Sequence, residues 1–210
     1  LGAELYYKSM QNQLDYKDGT NINTIADVES SLLYGVGRAC GFEFLVKKKI
    51  GLFSGWISYT LSKTERKIDG INEGNWYKAK QDRTHDVSIV TILELNSKWT
   101  VSGVFVYSTG NAVTFPTGKY SLGEQTIYQY ANRNANRMPD YHRLDLSATY
   151  ENKNKKKNAG SWNFSLYNVY GRENAYQISF QDDPSDNSKT QIIQTALFRW
   201  VPSITYNFKF

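Results

Sequence analysis

Apolar and polar residues alternate at a period of two along most of this chain, down to Ile204-Thr205-Tyr206-Asn207-Phe208-Lys209-Phe210 at its end. That period gives a β-strand one apolar face and one wet face. Eight such stretches are bounded by polar or glycine-containing breaks: about 1–16, 34–48, 56–67, 84–95, 99–108, 143–150, 162–167 and 195–210. In the second, Phe42, Phe44 and Val46 share a face, and in the third Ile57, Tyr59 and Leu61 oppose Ser58, Thr60 and Ser62. The fourth sets Val87, Ile89, Leu93 and Leu95 together. The sixth alternates Leu144, Leu146, Ala148 and Tyr150 with Arg143, Asp145, Ser147 and Thr149, and the seventh sets Trp162, Phe164 and Leu166 against Asn163, Ser165 and Tyr167. The fifth is apolar on both sides, Val101, Phe105 and Tyr107 against Val104 and Val106, which leaves its facing open.

The connections between these strands alternate long and short: about 17–33, 68–83, 109–141 and 172–194 are long, and 49–55, 96–98 and 152–160 are short. Outer-membrane barrels have short periplasmic turns and long extracellular loops, whereas a soluble sandwich shows no such parity. The rhythm predicts an antiparallel transmembrane β-barrel wall with its C-terminus on the periplasmic side. Ile57, Tyr59, Leu61, Leu144, Leu146, Trp162, Phe164 and Leu166 are then lipid-facing. The inward residues are mostly Ser, Thr and Asn, too small to fill the narrow bore of a lone eight-stranded barrel. An arc of a larger barrel suits them better.

Composition adjusts this picture at a few points. Aromatics make up 15% of the 210 residues, with 16 Tyr, 10 Phe and 5 Trp, as fits a protein with interfacial belts or simply one rich in strands. Mean hydropathy is −0.57, and the longest run without Asp, Glu, Lys or Arg, 99–118, is broken by Ser, Gly, Asn and Pro. No helical span is expected. The net charge of +5 concentrates at Lys47-Lys48-Lys49 and in the run from Lys153 to Lys157, without the aromatic interleaving that stacks bases, so no nucleic-acid partner is expected. A single Cys40 and two histidines, His85 and His142, give no basis for a disulfide, a metal site or a cofactor. The chain opens at Leu1 within a strand, as expected of a mature product or a piece of a longer polypeptide.

Several segments resemble the C-terminal β-barrel portion of TonB-dependent outer-membrane receptors of Bacteroidetes-type bacteria. They are 55–62 (Gly-Trp-Ile-Ser-Tyr-Thr-Leu-Ser), 72–77 (Asn-Glu-Gly-Asn-Trp-Tyr), 82–89 (Asp-Arg-Thr-His-Asp-Val-Ser-Ile) and 108–116 (Ser-Thr-Gly-Asn-Ala-Val-Thr-Phe-Pro). Further on come 137–146 (Arg-Met-Pro-Asp-Tyr-His-Arg-Leu-Asp-Leu), 162–170 (Trp-Asn-Phe-Ser-Leu-Tyr-Asn-Val-Tyr) and 202–210 (Pro-Ser-Ile-Thr-Tyr-Asn-Phe-Lys-Phe). The resemblance is colinear and spans nearly the whole chain. It implies a barrel of roughly 22 strands with an N-terminal plug, importing a scarce ligand with energy passed by TonB. The plug and the other strands are absent from these residues. The resemblance also implies that Tyr206, Phe208 and Phe210 form a C-terminal signal read by the barrel-assembly machinery, which recruits an open strand edge. The implied partners are outer-membrane lipid, the rest of the receptor, TonB through the missing part, the assembly machinery and, in some such receptors, a surface lipoprotein.

Candidate chemistry is sparse. Asp82, Arg83 and Asp86 around His85 are expected to be paired charges at the barrel rim, and Arg143 and Asp145, two apart on one face, a second pair. A hydrolase centred on His85 is the weaker reading of the first cluster. Trp76 and Tyr77 in one long loop, and Tyr120, Tyr128 and Tyr130 in another, are candidates for stacking on a ligand or partner protein, or for anchoring loops on one another. The Asp182-Asp183-Pro184-Ser185-Asp186 tip is oxygen-rich but lacks the spacing of a known Ca²⁺ loop. No catalytic residue is expected. A self-contained small barrel serving as anchor or adhesin is the alternative to the receptor wall.

Overall fold

The computed structural model describes residues 1–18, 20, 27–122, 125–152 and 160–208. Its strands are β1 (Gly2–Tyr16), β2 (Leu32–Lys48), β3 (Phe53–Ile68), β4 (Tyr77–Lys78), β5 (His85–Glu94), β6 (Trp99–Ser108), β7 (Ala112–Val113) and β8 (Pro116–Leu122). They continue as β9 (Gln125–Tyr130), β10 (Asn136–Arg137), β11 (Tyr141–Asn152), β12 (Gly160–Tyr167), β13 (Gln177–Asp183), β14 (Asp186–Thr195) and β15 (Val201–Phe208). The protein is all-β and antiparallel. One large sheet runs β1-β2-β3-β5-β6-β11-β12-β15, each strand beside its successor, with β4 appended to β3. Among the described residues β1 and β15 do not pair with each other, so no closed barrel is formed there.

Register turns eight separate alternations into two continuous faces, because a one-residue slip anywhere would invert a strand. Across the sheet, one row reads Phe44, Tyr59, Val87, Tyr107, His142 and the next Val46, Ile57, Ile89, Phe105, Leu144. A further row reads Phe53, Leu93, Val101, Ala148, Phe164, Ile204. The opposite face carries Ser102, Ser147, Ser165 and Ser203 in one row and Thr100, Thr149, Asn163 and Thr205 in another. The fifth stretch is thereby oriented: Val101, Phe105 and Tyr107 join the apolar face, while Val104 and Val106 lie on the polar face beside Asp145 and Arg143.

The apolar face is not covered. Leu146 and Phe164 are each 42% exposed and Phe208 63%, where a soluble sandwich would bury them. Ile57, Leu61 and Trp162 are also exposed, and Tyr59, Leu144 and Leu166 are half-buried on the same face. Near the short-turn end the face finishes on a row of aromatics, Trp99, Tyr150, Trp162 and Tyr206, with ring centroids 5.1 Å apart for Trp99–Tyr150 and 4.7 Å for Trp162–Tyr206. The buried cluster of Ile68, Ile71 and Tyr77, with Leu33 packed on it, lies instead on the polar side of β2 and β3, at their long-loop end.

Two expectations are revised. The last strand starts at Val201, not near 195, because Thr195 pairs with Gln177 in a hairpin of its own, β13–β14. The connections 109–141 and 172–194 are therefore not bare loops: they carry the β8–β9 hairpin, the β7–β10 ladder and β13–β14. The lysine run from Lys153 to Lys157 and the terminal Lys209 and Phe210 lie outside the described residues.

Candidate functional site at the long-loop end

The long connections fold over the polar face and are tied to it by charged side chains. Asp82, 2% exposed, accepts from the Thr64 N–H at 2.6 Å and from Arg137 Nη2 at 2.5 Å. Arg137 also donates to the carbonyls of Asp82 and Gly110 (3.0 and 2.9 Å) and to the Thr84 hydroxyl (2.9 Å). One guanidinium thus joins the third long connection to the edge of β3. The expected pairing of Arg83 with Asp82 and Asp86 is not what forms. Arg83 points to Asn111 Oδ1 (2.7 Å) and the Ser108 hydroxyl (3.4 Å), since Asp82 is already turned into the sheet edge. Asp86 sits opposite Thr60 and Ser108 on the polar face and makes no ion pair among the described residues.

Arg143 and Asp145 do meet, at 2.9 Å, and Arg143 also donates to the hydroxyls of Tyr141 and Tyr167, both at 2.8 Å. Its guanidinium lies 4.1 Å from the Tyr167 ring centroid. Asp145 in turn accepts from the Asn168 N–H, fixing a residue in the left-handed region (φ 55°) where the chain leaves β12. The Asn168 amide donates to the carbonyls of Arg172 and Arg199.

Arg133, which nothing in the sequence marks, carries the tie of longest sequence separation among the described residues. It donates to Asp15 and Asp18 (2.7 Å each) and to the Tyr16 carbonyl (2.8 Å), and its own backbone is held by the Asn72 amide. The third long connection is thereby strapped over the polar face to the end of β1. Tyr77 donates to Asp15 in the same cluster at 3.0 Å; burial, with Asp15 alongside, pushes its phenol well above the usual range.

A cavity of about 610 Å³ opens beside these ties, lined by Tyr6, Gly41, Ser62, Thr84, Asp82 and Arg137 and equally by Leu5, Cys40, Phe42, Leu61, Lys63 and Lys78 of the apolar-face rows. Tyr6, Gly41 and Ser62 form one polar-face row. The Tyr6 ring lies so close over Gly41 that any Cβ there would stand 2.7 Å from it.

The aromatic candidates divide. Tyr77, 4% exposed, is a buried anchor and not a stacking platform, because its ring packs on Ile68 and Ile71. Tyr128 donates to Asp182 (3.3 Å), which also pairs with Lys119 (2.7 Å), so it helps hold β8–β9 against β13–β14. Trp76, Tyr120 and Tyr130 remain exposed. Asp183 accepts from the N–H and hydroxyl of Ser185 and from Gln191, so its oxygens serve the turn. No group of three or more metal-ligating side chains assembles among the described residues. His85 meets Tyr59, not an aspartate: Nδ1 and the hydroxyl are 2.9 Å apart on the apolar face, and the period of two turns Asp86 to the other side. Tyr206 and Phe208 lie on the apolar face beside Trp162 and Gly160. No family model, curated protein or solved structure matches the chain.

Proposed function

We propose that this chain is the wall and surface loops of an outer-membrane active-import receptor, the C-terminal arc of a larger barrel energised through TonB. The observation that carries the reading is the pair of continuous faces, an uncovered apolar one and a Ser/Thr/Asn one, maintained in register over eight strands. In hydrocarbon every backbone polar group needs an internal partner, and the outer edges of β1 and β15 have none among the described residues, which favours further strands on both sides over a self-contained eight-stranded anchor or adhesin. Wall strands supplied by the rest of the receptor, and a plug within, complete the proposal. The chain contributes no bond-making chemistry: it offers a hydrated lumenal surface, and the charge-tied loops form the mouth through which a scarce ligand enters. The edge of β15, ending at the short-turn side, is what the assembly machinery reads.

Two measurements test this. In the full-length protein reconstituted into vesicles, Trp162 as the reporter should be quenched by brominated lipid, and Trp56, on the opposite face, by an aqueous quencher instead. In the source bacterium, loss of this protein and loss of TonB should produce the same growth defect on one scarce nutrient. Equal lipid quenching at both positions sinks the wall, and a growth defect indifferent to TonB sinks the import role.

A further inference from the structure

The apolar face ends on the long-loop side at the row Leu5, Phe42, Leu61. The two rows beyond it, on the same face, read Tyr7, Cys40, Lys63 and then Ser9, Arg38, Glu65, Lys78. At about 3.4 Å per residue and a strand tilt near 40°, these rows lie roughly 5 and 10 Å outside the hydrocarbon edge, the depth of lipid headgroups. Glu65 is buried, at 8% exposure, and holds Arg38 and Lys63 at 2.7 Å each. The Arg38 guanidinium rests 4.1 Å from the centroid of the exposed Trp76 ring. Lys78 stands across the β3–β4 ladder from Glu65, and Lys67 lies one row further out. Two cations are therefore held on one carboxylate, and two more, Lys67 and Lys78, occupy neighbouring register positions on the same side of the sheet.

We propose that the Arg38–Glu65–Lys63 cluster, with Lys78 and Trp76, docks the phosphate-bearing headgroup of a glycolipid in the surrounding outer leaflet. Glu65 holds Arg38 and Lys63 in place, and with Lys67 and Lys78 beside them the cluster keeps a net positive charge against which a phosphate can bind. Arg and Lys together match a phosphate monoester by fork and point charge, and basic residues at headgroup level are drawn to anionic lipid. The exposed Trp76 supplies an amphipathic ring at the same depth. The inference rests on the wall reading above, since only a membrane-embedded face presents this cluster to lipid.

The test titrates the full-length protein, in neutral detergent, with diphosphorylated lipid A, with its dephosphorylated counterpart and with inorganic phosphate. The expected result is saturable binding of the phosphorylated lipid, weakened about tenfold or more by Arg38→Gln/Lys63→Gln and by removal of the phosphates. Lys78→Gln, which has no ion pair to lose among the described residues, should weaken it several-fold, so the test stands even if the double variant misfolds. Equal binding of both lipids, unchanged binding by the variants, or inorganic phosphate displacing the lipid at matching concentration would each overturn the proposal. If Trp162 is quenched by brominated lipid while the phosphate preference is absent, the headgroup site falls and the wall survives. If Trp162 is not quenched, both fall.

Discussion

Arg137 and Asp82, 55 residues apart in sequence, meet at 2.5 Å with the carboxylate 1% exposed and the guanidinium 23%. A pair this buried stabilises little against an apolar replacement, but breaking it leaves an uncompensated charge. Asp82→Ala also strips the Thr64 N–H of its acceptor. The variant should lose about 3–5 kcal/mol, measured by denaturant unfolding. Asp82→Asn, which keeps an acceptor for Thr64, should lose less. A double-mutant cycle with Arg137→Ala showing no coupling would count against the pair as the anchor.

The two faces differ in what they tolerate. Phe164 lies mid-face between Ala148 and Ile204, and Ser165 on the other side between Ser147 and Ser203. In a bilayer, Phe164→Arg should cost roughly 2–4 kcal/mol and Ser165→Arg far less. Folding free energies of the two variants in vesicles decide it: similar penalties would mean the polar face is not a hydrated lumen.

The strands and their facing were legible because a period of two survives in any antiparallel sheet and needs no long-range information. Even so, β6 could not be oriented from Val104 and Val106 alone, and only its pairing with β11 did so. The loop layer was much less legible. The Arg143–Asp145 pair is local, two residues on one strand, and could be anticipated. Arg137 with Asp82, and Arg133 with Asp15, join positions 55 and 118 residues apart, and nothing in a single sequence marks which of many charges will meet. Adjacency suggested Arg83 for Asp82, but the turn before β5 aims Arg83 at Asn111. Tyr77 reads in the sequence as either a ligand platform or a loop anchor, because an aromatic beside Trp76 in a loop carries no sign of its burial; the structure makes it the anchor.

Acid should release the third long connection. Asp140 accepts from the Tyr107 hydroxyl (2.7 Å) and the Gly110 N–H (3.0 Å), and these bonds hold its carboxyl below the usual carboxylate range. A depressed pKa contributes stability that is present above the ordinary value, near 3.9, and lost as pH falls through the lower folded one. Protease sensitivity of residues 109–140 should therefore be flat from pH 7 down to about 4 and rise below it. Asp140→Asn should reduce the rise, and an unchanged acid profile in that variant would assign it to other carboxylates.

Gly110 is the backbone counterpart of that anchor. A Cβ there would lie 1.7 Å from the Met138 carbonyl oxygen, a separation no relaxation of a side chain can relieve. Gly110→Ala must push apart the segment that Arg137 and Asp140 hold together. The expected outcome is a loss of about 1–3 kcal/mol confined to the long-loop end. Hydrogen exchange should quicken at 109–111 and 137–140 and stay unchanged at the pairing of β11 with β12. Faster exchange throughout the sheet would show that the loop layer and the sheet unfold as one unit.

The Arg133 strap sets how firmly the third long connection is held over the polar face. Its guanidinium, 18% exposed, reaches Asp15 at 15% and Asp18 at 61%, so the first contact is shielded and the second largely screened by water. Asp15→Ala should therefore weaken the strap more than Asp18→Ala. Arg133→Ala removes both pairs and the bond to the Tyr16 carbonyl, while the Asn72 amide still grips the backbone at 133. The connection should loosen by about 1–2 kcal/mol without detaching. Arg133→Lys, a point charge in place of a fork, cannot serve Asp15, Asp18 and Tyr16 together and should recover only part of it. The distance between spin labels at 17 and 131 reads the outcome directly: one narrow population in the parent chain, broadened in Arg133→Ala, intermediate in Arg133→Lys. A distribution that stays narrow in Arg133→Ala would mean that Asn72, not the arginine, holds the connection in place.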